Sequence, residues 1–156
     1  MSPPHILSSL TDREAIADAL YRAMTGFDIN DYALFKSAFV EESAIVEIGQ
    51  KTIEGTEAIR TQLFDLVAAI DTTHMITNVR IEVRDGASEA SLSALSLAQH
   101  CPLGKGQQPD GPKYTGGTLY LVDLVKDTSD QVWKIQKWAM RGIWGQGDIS
   151  VMKNIL

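Results

Sequence analysis

The chain has 156 residues, 44% of them hydrophobic and 22% charged, which suits one globular domain with a sizeable core. A net charge of −6 leaves no basic stripe to neutralise phosphates, so no nucleic-acid partner is expected. No run approaches the roughly 18 apolar residues of a spanning helix, and Met1-Ser2-Pro3-Pro4-His5 lacks the basic-then-apolar pattern of a signal peptide. The single cysteine, Cys101, rules out an internal disulfide and a cysteine-cluster metal site. The expectation is a soluble, cytoplasmic protein with no membrane partner.

Residues 1–10 read as a tail, residues 11–148 as the domain and residues 149–156 as a second tail. Thr11-Asp12-Arg13-Glu14 is a capping box that opens a first helix. Ile16, Ala19, Leu20, Ala23, Met24 and Phe27 follow at helical spacing, and Gly26 and Asp28 end the run. Asp31 can cap a second helix with Leu34, Phe35, Ala38 and Phe39 inward. Ser43 to Ile48 reads as a short strand turned by Gly49. Thr56 opens a third helix with the stripe Ile59, Leu63, Leu66, Val67 and Ile70.

The stretch 72–83 is rich in β-branched residues and ends at the turn signal Arg84-Asp85-Gly86, so it reads as a long strand entering a hairpin. Strict alternation puts Met75, Val79, Ile81 and Val83 on one face and His74, Ile76, Asn78 and Arg80 on the other. Neither face looks solvated; one can pack on a partner while the other lines a polar-studded cavity. Strands over 90–100, 115–126 and 131–143 complete the set, and the proline- and glycine-rich loop 101–114 is a candidate lid. Helices first and antiparallel hairpins after give an α+β domain: a cone-shaped sheet wrapped around three N-terminal helices, with a ligand pocket at its mouth.

With the polar residues placed on these elements, the chain resembles the SnoaL-like, scytalone dehydratase-like branch of the nuclear-transport-factor-2-like superfamily. The resemblance covers about residues 11–148. It is carried by Phe27-Asp28-Ile29-Asn30-Asp31-Tyr32, Thr73-His74-Met75, Gln99-His100, Val132-Trp133-Lys134-Ile135 and Ile143-Trp144-Gly145. It implies that Asp28 pairs with His74, the acid/base, and that His100 assists the leaving group. It also implies substrate contacts from Thr118 and Tyr120, which stand where the dehydratase has a serine and an asparagine. Two positions that hold tyrosines there read Phe27 and Glu47 here, which points to a sister activity in the same kind of pocket.

The residues support such chemistry in their own right. A carboxylate beside an imidazole fixes its tautomer and favours its charged form. Two histidines at one pocket allow one to take a proton while the other gives one. Asn78 and Arg80 share the face of His74, and an arginine there could hold a carbonyl or enolate. A surface ion pair with Glu82 or Glu89 is the alternative for Arg80. Asp28 could instead cap a turn, and His74 and His100 could be structural strand-end histidines. Glu47 could lie in the pocket or on a solvated face, Tyr120 could line the pocket, and Trp144 could be a substrate contact or a core, interface or lid aromatic. A two-histidine, one-carboxylate metal site lacks any supporting short motif, so neither metal nor cofactor is expected.

The leading expectation is a cofactor-independent dehydratase, isomerase or cyclase acting on an apolar, oxygenated small molecule; a polyketide- or terpenoid-type metabolite is what the resemblance implies. The alternatives are a non-catalytic ligand-binding module and the small structural subunit of a ring-hydroxylating dioxygenase. A homodimer is expected through the outer sheet face, using the apolar side of strand 72–83 and the strand bearing Trp133 and Trp138.

Overall fold

In the computed structural model, which describes residues 4–153 and residue 155, helix α1 (Asp12–Asp28) starts at the capping box. The Thr11 hydroxyl accepts from the Glu14 amide at 3.3 Å, and the Glu14 carboxylate accepts from the Thr11 amide at 2.8 Å. The α1 stripe from Ile16 to Phe27 is buried, whereas Tyr21 is exposed. Asp31 caps helix α2 (Tyr32–Ser37) by accepting from the Leu34 amide at 2.9 Å. The two helices meet at Gly26, where a Cβ would fall 2.7 Å from Phe35, so only glycine permits this approach.

A short hairpin of β1 (Ile45–Ile48) and β2 (Lys51–Glu54) follows. The third helical stretch runs through Thr56–Ile59, a π-helical turn Arg60–Phe64 and a last turn Asp65–Val67. The π turn brings Leu63 and Phe64 both inward. Then come β3 (Asp71–Glu82), β4 (Glu89–Cys101), β5 (Tyr114–Lys126) and β6 (Trp133–Gly147), closed by a 3-10 turn at Ile149–Met152. The sheet order is β2-β1-β6-β5-β4-β3, antiparallel except for β1 beside β6. The helices fill the concave side, and one apolar core joins them to the sheet.

Three register shifts, one of them beside Gly117 and Thr118, correct the strict alternation expected for the strands. In β3, Thr77 pairs with Leu95 and Arg80 with Ser93, so two β3 residues oppose one on β4. Asn78 sits in the left-handed region at φ 53°. The bulge reverses the parity of the strand. His74 and Ile76 point inward before it, and Val79, Ile81 and Val83 pack on the core after it. Met75 is therefore on the outer face with Arg80, not with the three later apolar residues. In β6 a register shift opposite Asp123 and Leu124 has the same effect. It turns Trp133 and Trp138 both into the core, at 1% and 0% exposure, so neither belongs to an outer docking face.

Candidate active site

The open end of the cone holds a cavity of about 370 Å³. Its sheet wall is an inward grid fixed by strand register. His74 on β3 is followed across the sheet by Ala98, Gly116 and Gly145. On one side of that row stand His100 and its partner Tyr114; on the other stand Ser96, Thr118 and Gly142, then Tyr120 and Met140. The opposing wall is Phe27 from α1 with Leu63 and Val67 from the third helical stretch. Ile48, Gly49, Lys51, Met152 and Ile155 also line it.

Asp28 ends α1 against the start of β3, and both of its oxygens are used there. Oδ2 accepts from the His74 backbone amide at 2.8 Å and Oδ1 lies 2.7 Å from His74 Nδ1. A carboxylate can only accept when ionised, so Nδ1 carries the proton. Nε2 is then the basic nitrogen, on a ring that lines the cavity. The pair is largely shielded, with 7% of the His74 side chain and 18% of the Asp28 side chain exposed. Phe27 backs the imidazole, with ring centroids 5.7 Å apart.

The His100 ring stands edge-on to His74 at 5.5 Å and is 6% exposed. Burial, and then the charge of His74, push its pKa down to about 4, with the Tyr114 backbone partly opposing. His100 is thus neutral at pH 7, able to donate from one nitrogen and accept at the other. Burial likewise pushes the Tyr120 phenol up to about 12, so it stays a donor across the whole physiological range. The arrangement provides an oriented base, a neutral imidazole and a neutral phenol in one largely apolar chamber.

Of the residues singled out from sequence, Phe27, His74, His100, Thr118 and Tyr120 line this cavity, and Asp28 holds His74 from behind. Trp144 borders the cavity, but its indole lies over Gly117 and is half exposed. Three expected contacts lie elsewhere. Glu47 alternates with the inward Val46 and Ile48, so it points out and pairs with Lys137 at 2.8 Å. Asn78 is the exposed bulge residue, and the bulge puts Arg80 on the outer face. Loop 101–114 is tied back to Asp71, which accepts from the Gly106 amide at 2.8 Å, and residues 102–113 do not line the cavity. The C-terminal 3-10 turn contributes Met152 instead. Sequence reasoning passed over Tyr114, Gly116 and Ala98, although i, i+2 alternation from Thr118 and His100 reaches all three.

Comparison with known proteins agrees with this architecture. The SnoaL-like domain family matches residues 8–139, and the chain belongs to that family. It is 42% identical over 149 residues to terrestric acid biosynthesis cluster protein E of Penicillium crustosum, covering 96% of this chain and 94% of that protein. Among solved structures it is similar in fold to a candidate scytalone dehydratase from Novosphingobium aromaticivorans (TM-score 0.73, 20% identity, 88% of this chain and 87% of the other). It is also similar to the hexachlorocyclohexane dehydrochlorinase LinA-type3 from Novosphingobium barchaimii (TM-score 0.69, 23% identity, 87% and 89% covered).

Proposed function

We propose that this protein is an acid/base enzyme of secondary metabolism, a dehydratase, isomerase or cyclase, whose substrate is an apolar, oxygenated small molecule. The observation that carries this reading is the Asp28–His74 pair, hydrogen-bonded at 2.7 Å on the wall of a 370 Å³ cavity that neutral His100 also lines. Nε2 of His74 takes a proton from the carbon next to a carbonyl, and Asp28 stabilises the imidazolium. Tyr120 donates to the carbonyl oxygen as negative charge develops on it. In an elimination, His74 returns the proton to the departing hydroxyl, assisted by His100. The C–H and C–O bonds break, a C=C bond forms and water leaves. Positioned proton transfer of this kind contributes roughly 10² to 10⁴ in rate.

The relative's place in a biosynthesis cluster supports the metabolic setting, and the fold neighbours named for dehydration and dehydrochlorination support the reaction class. The ligand-binding and dioxygenase-subunit readings require no such pair at a cavity. The test is a panel of cyclic β-hydroxy ketones incubated with the protein and followed by mass spectrometry. Loss of water, or isomerisation at constant mass, supports the reading. Tight binding with no conversion across a panel that includes the relative's pathway intermediates contradicts it.

We also propose a second copy of the chain as the partner, docked on the outer sheet face. A register row there joins Met75, Leu97, Gly117 and Trp144, and Met75 and Trp144 are half exposed. The neighbouring Ile143 is 58% exposed and adds to the apolar side chains of this row.

A further inference from the structure

The row His74, Ala98, Gly116, Gly145 forms a lane across the cavity wall in which the last three positions carry little or no side chain of their own. Adjacent strands lie about 4.8 Å apart, so three spacings from His74 to Gly145 span roughly 14 Å. Phe27, Leu63 and Val67 oppose the lane from the helical side, which leaves a slot suited to a flat molecule. Beside the lane, a Cβ at Gly142 would meet nothing within 4 Å, so the cavity stays open there. The far end is different. A Cβ at Gly145 would overlap the Tyr114 hydroxyl and ring, and one at Gly116 would lie 3.5 Å from the same ring, so the side chain lies along the lane over both glycines with its hydroxyl at Gly145.

The place of Tyr114 is enforced by its neighbours. Gly147 holds φ 103°, and a side chain there would overlap the Lys113 carbonyl. That carbonyl also accepts from the Asp148 amide at 2.8 Å. At the near end, His100 lines the same cavity at 6% exposure.

We propose that Tyr114 is the specificity-determining residue of this site: its phenol closes the lane opposite His74 and hydrogen-bonds a second oxygen at the far end of a flat substrate, fixing that substrate's length and direction. The inference rests on the acid/base reading for what happens at the His74 end. Its own content is the far end, and it is tested by binding alone.

The probes are naphthalene-2,6-diol, with an oxygen at each end, and 2-naphthol, with one. Calorimetry on wild-type protein should show the diol binding about three- to tenfold tighter, the effect of one hydrogen bond. Tyr114→Phe should remove that preference and leave 2-naphthol unchanged. Gly145→Ala, which displaces the phenol, should do the same while circular dichroism shows an unaltered fold. A preference that survives in Tyr114→Phe overturns the proposal. So does a wild-type protein that binds the two arenes equally or binds neither. Failure of the acid/base reading would instead appear as turnover indifferent to His74, with the diol preference intact.

Discussion

Acidification should destabilise this protein through His100. An ordinary histidine titrates near 6.5, whereas burial holds His100 near 4 in the folded chain. The unfolded chain therefore binds the proton first. Because the folded pKa is the lower one, the stability linked to this group is fully present above pH 6.5 and is lost as pH falls through 4. At 1.36 kcal/mol per unit, the loss between pH 7.5 and 4.5 is about 2.5 kcal/mol, a substantial share of a typical domain's 5–15 kcal/mol. Carboxylates held low by hydrogen bonds, such as Asp31 and Asp71, also cost stability in acid, but mainly below their ordinary range. A difference measurement separates the two. Urea unfolding of wild type and His100→Gln at both pH values should show the wild type losing about 2.5 kcal/mol more than the variant. Equal losses would mean that His100 is not held neutral by burial, and the account of it as a neutral imidazole in the cavity would fail.

Other consequences are as direct. Tyr120, pushed up to about 12, should make wild-type stability fall by about 2 kcal/mol between pH 10 and 12, a loss absent from Tyr120→Phe in alkaline urea titrations. Asn78 holds φ 53° at the β3 bulge, so Asn78→Val should cost about 1–3 kcal/mol in urea midpoint analysis while Asn78→Gly is tolerated. Met75→Glu on the outer face should shift the chain to monomer in sedimentation velocity, with its far-ultraviolet spectrum unchanged; a wild type already monomeric at high concentration would remove the proposed partner.

Short-range physics was legible in the sequence. Thr11 and Glu14 announce the start of α1, Asp31 announces α2, and β-branched runs announce the long strands. The meeting of Asp28 with His74 was visible only through the family resemblance, since 46 residues separate them and no local pattern links them. What was not legible was parity. A bulge changes which residues face the cavity without changing composition, so Arg80 and Asn78 were counted inside, and Trp133 and Trp138 were placed on an outer face. The hairpin strand β2 escaped because Ile53 alone marks its buried side. Tyr114 escaped because it follows a turn-rich loop, where residue type suggests an end rather than the first position of a wall.

The central claim is that His74, oriented by Asp28, moves a proton to and from a carbon next to a carbonyl. The most direct measurement is α-proton exchange into a bound cyclic ketone in D2O, followed by proton NMR with wild type, His74→Gln and Asp28→Asn. Wild type should exchange, and each variant should be slower by about 10² to 10⁴ while retaining its fold. Exchange that persists at the wild-type rate in His74→Gln would contradict the account.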